Sequence, residues 1–299
     1  MSKTSSGWLS GCIGVVIFAG SLPATRLAIT GFSPEFLTVG RASIAGLISL
    51  VCLIFLKQKK PQIHHMRSLM MVTLGVVIGF PLCTSLALQT ITASYSVVFV
   101  GLLPLATAFF AVLKGEQRPQ PKFWLFAILG SSTVVLFALT SNTQPHAIAG
   151  SLWMLAAIVL CGLGYAEGGT LSRHLGSWQV ICWALVIALP VMLPLSYYYF
   201  PKHVSQITVS AFLGFGYVSL FSMLIGFIFW YYGLAKGGVI AVGQIQLIQP
   251  FLGLFISAIL LHEVIHWQMI VAAFSVMLCV IYAKKAALPH PITTTATHG

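Results

Sequence analysis

The chain has 299 residues, 58% of them hydrophobic and only 6% charged, against roughly 25% charged in soluble domains. That little polar surface excludes a water-soluble globule and requires lipid around most of the molecule. The net charge of +11 does not indicate nucleic acid, because the basic residues sit at the ends of apolar runs rather than in one patch.

Ten apolar stretches are long enough, or nearly so, to cross about 30 Å of hydrocarbon. In chain order they are Trp8–Ile29, Phe36–Leu56, Leu69–Leu88, Ala93–Leu113, Phe123–Leu139, Ala149–Leu171, Val180–Tyr198, Val209–Leu234, Val239–Leu261 and Trp267–Ala283. The first follows Lys3 and could imitate a secretory signal, but no small-residue cleavage site ends it and nine further runs follow, so it reads as a membrane helix. Asn142-Thr143-Gln144-Pro145 is a polar linker between halves. The Thr/Pro/His-rich end reads as a disordered tail over 285–299.

The chain is one unit written twice. Ala87-Leu88-Gln89-Thr90-Ile91-Thr92-Ala93 leads through an apolar run to Pro104 and Glu116, and Gly233-Leu234-Ala235-Lys236-Gly237-Gly238-Val239 leads likewise to Pro250 and Glu263, a spacing of about 146 residues. The repeats are assigned to 7–140 and 148–284. With the N-terminus inside, inner segments hold Lys3, Lys57, Lys59, Lys60, Arg67, Lys114, Arg118, Lys122, Arg173, Lys236, Lys284 and Lys285, while the outer loops hold only Lys202. This bias puts both termini in the cytoplasm. Five spans per repeat is an odd number, so the second copy enters from the opposite side. The expected fold is all-α: a polytopic membrane protein of ten helices in two inverted five-helix repeats, suited to alternating access.

Ser21-Leu22-Pro23-Ala24-Thr25-Arg26, then Ser33-Pro34-Glu35-Phe36-Leu37-Thr38-Val39-Gly40-Arg41, together with the duplicated patterns ending Gly115-Glu116 and His262-Glu263, resemble the drug/metabolite transporter superfamily, EamA type. The resemblance covers residues 7–284. It implies a ten-helix exporter of small metabolites in the plasma (inner) membrane, with a central cavity lined by the first four helices of each repeat and with helices five and ten peripheral. Members carry amino acids, nucleotide sugars, choline or drugs, so the resemblance does not choose a substrate. One departure is Leu185, the approximate counterpart of Arg41, which confines any arginine chemistry to one half.

The chain has no aspartate and four glutamates. Pro104, Glu116, Pro250 and Glu263 are read as structural parts of the repeat, the carboxylates capping or pairing at tight turns. Glu35 suits the N-terminal dipole of the second span and could pair with Arg26, which otherwise snorkels. Glu167 lies roughly 9 Å inside its span, where a carboxylate costs a few kcal/mol unless paired, protonated or wet. Two readings stay open: proton coupling, as a membrane glutamate serves in related small multidrug carriers, or a structural role, snorkelling towards the inner surface or pairing with Arg173 or Lys236. The Gly164/Gly168 pair beside it permits close approach of another helix or a ligand. Arg41 is also roughly 9 Å deep, and its guanidinium suits a carboxylate or phosphate; packing against carbonyls or Glu35 is the alternative.

Tyr95, Tyr165, Trp183, Gln246 and Gln249 join Arg41 as candidate substrate contacts, with Gln89 and Gln244 as further polar groups in the spans. Gln249 precedes Pro250, whose missing N–H frees a carbonyl. The remaining Trp and Tyr residues near span ends suit an interfacial belt. His262-Glu263-Val264-Ile265-His266 fits the H-E-x-x-H zinc signature, but it straddles a turn and its glutamate belongs to the repeat, so neither a metal nor protease chemistry is expected. Six cysteines inside apolar runs, with no CxxC, read as buried hydrophobes. No cofactor is expected. The expected partners are a small-molecule substrate and the bilayer, with no nucleic acid, the protein acting as monomer or homodimer. No Walker motif is present, so the expected class is a secondary transporter rather than an enzyme; a receptor that kept the fold and a multidrug exporter are the competing readings.

Overall fold

A computed structural model describes residues 3–114, 121–141 and 145–287. Glu116, the 142–144 linker and residues 288–299 lie outside the described residues. The described residues are helical apart from the turns, with ten spans: α1 (Ser6–Ala28), α2 (Pro34–Phe55), α3 (Ile63–Ala87), α4 (Ala93–Leu113), α5 (Pro121–Ser141), α6 (Pro145–Leu175), α7 (Ser177–Tyr198), α8 (Val209–Gly237), α9 (Val239–Val242, Gly243–Ile248 and Gln249–Leu261) and α10 (Trp267–Ala287). Seven are long and apolar enough to span a bilayer; the apolar parts of α5, α9 and α10 are shorter. Large apolar side chains such as Val51, Phe55, Leu136 and Phe274 are exposed, the outward face that lipid covers.

Helix ends extend past the apolar runs. Polar first turns, such as His64-His65-Met66-Arg67 of α3, continue the backbone ladder beyond the hydrocarbon, and α10 runs to Ala287, into what the sequence reads as tail. Ser33, Thr92 and Thr208 cap α2, α4 and α8 by accepting the N–H of Phe36, Tyr95 and Ala211.

Packing reveals the symmetry. α1 lies along α8 and α6 along α3; α2 pairs with α7, α4 with α9, and α5 with α10. Exchanging each helix with the one five later maps these contacts onto themselves. With five spans per repeat, that exchange is a two-fold axis in the membrane plane.

Both crossed pairs close on glycine. A Cβ on Gly75 of α3 would stand 2.5 Å from the Leu160 carbonyl oxygen of α6, and one on Gly233 of α8 would stand 2.9 Å from the Gly11 Cα of α1. Backbone meets backbone at both, as small residues allow between membrane helices. Gly75→Ala must separate α3 from α6 and is expected to lower stability by about 1–3 kcal/mol, read as a lower midpoint in thermal unfolding of detergent-solubilised protein. An unchanged midpoint would mean that the contact is looser than described.

The ladder is broken at equivalent places in the two repeats. α3 carries a π-helical stretch, Thr73–Gly79, closed by Phe80 N–H donating to Gly75 O, and α8 carries another, Val218–Ile225, closed by Gly226 N–H donating to Phe221 O. Pro81, which has no N–H to give, explains the first; α8 has no proline. α4 is interrupted at Gly101-Leu102 before Pro104, and α9 tightens to a 3₁₀ segment over Gly243–Ile248 before Pro250. Four interrupted helices thus meet midway through the bundle, where broken helices put ligand sites.

Candidate functional site: a central cavity between the repeats

The interruptions surround a small cavity of about 20 Å³, lined by residues of α1, α2, α3, α4, α6, α8 and α9, room for about one water. One wall is polar. Arg41 of α2 is 2% exposed; its Nη2 donates to Ser222 Oγ at 3.1 Å, and Ser21 Oγ donates to the same oxygen at 2.7 Å. Arg41 Nε has no hydrogen-bond partner, nor does Gln249 Oε1, which also reaches this cavity. No ion pair involves Arg41: among the described residues the one ion pair is Lys114–Glu167. Another part of the lining is aromatic. Tyr165 packs against Phe18, Phe227 and Trp230 with ring centroids 6.2, 5.8 and 5.5 Å away.

An unpaired guanidinium at this depth is electrostatically incomplete. Burying a cation costs several kcal/mol unless an anion shares the site, and a single serine hydroxyl does not supply one. Arg41, Ser21 and Ser222 offer donors suited to one carboxylate or phosphate, although the cavity as it stands has room for no more than a water.

The sequence candidates divide. Arg41, Tyr165 and Gln249 converge on the cavity. Tyr95 does not border it: it is buried where α4 meets α5 and α6, with its hydroxyl 3.3 Å from Ser151 Oγ and its ring 4.8 Å from that of Phe137. Gln246 is fully buried in the 3₁₀ segment, without a hydrogen-bond partner for either amide atom, and does not border this cavity. Trp183 belongs to a different, larger pocket at the Lys57 end of α2. Gln89 is exposed on the α3–α4 turn. The sequence reading missed Ser21 and Ser222 as site residues; the serines at 219 and 222, three apart inside an otherwise apolar span, were the available signal.

Two pairings differ from expectation. Glu167 is 2% exposed and pairs with Lys114 at the end of α4, not with Arg173 or Lys236, because α6 packs along α4. The pair borders a pocket of about 580 Å³ that also includes Arg67. Arg26 forms no ion pair with Glu35; its Nη1 donates to Leu88 O, capping the C-terminus of α3 where a cation suits the helix dipole.

Glu263 closes the bundle at the other end. Its Oε1 accepts the Ala93 N–H at 3.0 Å and its Oε2 the Ser94 N–H at 2.7 Å, so a turn of the second repeat caps α4 of the first. His262 lies in the left-handed region (φ 53°), and residues 262–266 are not helical, so the two histidines do not share one helical face. Glu263→Ala is expected to lower stability by about 1–2 kcal/mol, read by thermal unfolding, with Glu263→Gln retaining part; no change in midpoint would remove the cap from the account.

Broken helices, inverted repeats and a buried set of polar groups between them define a helical membrane transporter. A model of the EamA-like transporter family matches residues 5–139 and again 148–283. The chain is 54% identical over 287 residues to the uncharacterized transporter YdeK of Bacillus subtilis (strain 168), covering 96% of this chain and 100% of that one. It is 22% identical over 273 residues to the uncharacterized transporter YetK of the same organism, covering 88% and 82%. A solved crystal structure of a protein superposes with a TM-score of 0.67 at 16% identity, covering 96% of this chain and 100% of the other, which supports the fold. The chain belongs to the EamA-like transporter family and is a multi-pass membrane protein.

Proposed function

We propose that this transporter exports a small, amino-acid-like anionic metabolite across the plasma (inner) membrane by alternating access, with both termini in the cytoplasm and Glu167 exchanging protons during the cycle. The observation that carries the reading is the buried Arg41 guanidinium, partnered by Ser222 and sharing a cavity with an aromatic wall. An amino-acid-like solute completes that site: its carboxylate neutralises the arginine and its side chain meets Phe18, Tyr165 and Phe227. At about 20 Å³ the cavity is too small for a solute, so α4 and α9 must part at their interruptions to admit one. Glu167 and Lys114 join α6 to α4 near the inner end, and protonating the carboxylate dissolves that tie.

A multidrug exporter is the second reading, favoured by the aromatic wall alone. Hydrophobic cations, the common cargo of such carriers, are repelled by Arg41 in the same cavity. Efflux from proteoliposomes tests the choice: amino acids and acyl amino acids compared with their amides at equal size. Efflux of the acid over the amide supports the proposal, and equal efflux of both overturns it.

A further inference from the structure

We propose that the inner end of the bundle carries a second ligand site, separate from the central cavity, for an anion bearing phosphate groups. A pocket of about 710 Å³ opens there. Lys57, Lys59, Lys60, His64, His65 and His174 line it, and no carboxylate does so among the described residues. A positive-inside bias accounts for basic residues at this end, but it does not gather six of them around one concavity.

Two further observations point to an anion. The helices α3 and α7, whose first turns border the pocket, have no side-chain cap at Gln62 or Gly176, whereas α2, α4 and α8 are capped by Ser33, Thr92 and Thr208. Uncapped N–H groups at a helix start, with the positive dipole end behind them, receive phosphate oxygens. Three side-chain atoms of the pocket lining are buried without a partner: the indole Nε1 of Trp183, an obligate donor, His65 Nδ1, and the acceptor Gln179 Oε1. The frame is held open: Gly176, at φ +98°, turns the chain from α6 into α7, and Gln179 Nε2 donates to Gln58 Oε1 at 3.3 Å, tying the end of α2 to α7. Lysine heads supply point charges and the helix starts supply directed donors, a combination suited to a phosphate group rather than to a lone carboxylate.

The phosphate can arrive on a soluble anion or on an inner-leaflet lipid headgroup. Full-length protein in phosphatidylcholine nanodiscs at low salt, titrated with inorganic pyrophosphate by calorimetry, reads the site directly. Wild type should bind, and Lys59→Gln/Lys60→Gln should bind about tenfold more weakly. Lys236→Gln, an exposed inner-end charge outside the pocket, should bind as wild type does. Repeating the titration in phosphatidylglycerol-containing nanodiscs separates the sources: suppressed pyrophosphate binding assigns the site to lipid, and unchanged binding assigns it to a soluble anion. Absence of pyrophosphate binding in phosphatidylcholine, or an equal loss in Lys236→Gln, overturns the proposal.

Discussion

Arg41→Ala is expected to weaken binding of a carboxylate-bearing substrate by about 100-fold, roughly 2.7 kcal/mol, the worth of a desolvated charge-assisted contact. Neutral analogues of the same shape should lose less than about threefold, because the aromatic wall that holds them is untouched. Stability gives the second, independent reading. The guanidinium is buried with one serine as its hydrogen-bond partner, so replacing it in the empty protein relieves an uncompensated charge. Arg41→Met should therefore unfold at an equal or higher temperature than wild type while losing anion binding. A purely packing arginine predicts the reverse: lower stability, and equal loss for neutral and anionic solutes. Arg41→Lys should restore part of the affinity but not all of it, since an ammonium keeps the charge without the planar fork. Equilibrium binding of an acid and its amide, with thermal unfolding of each variant, decides between the two.

Glu167→Gln is expected to leave substrate binding within about twofold of wild type and to flatten the pH dependence of flux. A single titrating proton changes the occupancy of its site by up to about tenfold per pH unit. The amide keeps the shape of the side chain and can still accept from Lys114, but it cannot lose or gain that proton. Lys114→Met should be more damaging, because it leaves a carboxylate of 2% exposure with its one ion-pair partner gone, and folded yield should fall several-fold. Flux against pH in proteoliposomes measures the first effect, and recovery of monodisperse protein the second. A wild-type pH profile in Glu167→Gln would reduce the pair to a structural tie between α4 and α6.

The fold was largely legible because membrane insertion is written in one dimension. Length and apolarity set the number of the spans before any contact forms. The repeat was readable for the same reason, since Pro104 and Pro250 are local signals of interruption. The two π-helical stretches were not. Pro81 hints at the first, but nothing around Ser222 announces the second, because a backbone re-registers there in response to the helices packed on it. The site candidates divided along the same line. Arg41, Tyr165 and Gln249 stand out as polar or aromatic groups deep within spans. Trp183 and Tyr95 share those attributes but face elsewhere, since hydropathy says how deep a side chain lies and not which neighbour it meets.

By itself, the sequence of this protein determined a ten-helix bilayer protein, a duplication and the inversion that follows from an odd number of crossings. Each of these depends on the free energy of placing a residue in lipid or water, a property of the residue and its neighbours in the chain. Only the tertiary structure decided that Glu167 answers to Lys114, that Glu263 caps a helix of the other repeat, and that Ser21 and Ser222 meet at Arg41. Those partners are 53, 169 and up to 201 positions apart in the chain, and they meet because α6 and α9 each lie against α4, and α1 along α8. Such pairings depend on which helix faces can approach, at glycines like Gly75 and Gly233, and that is a property of surfaces in three dimensions.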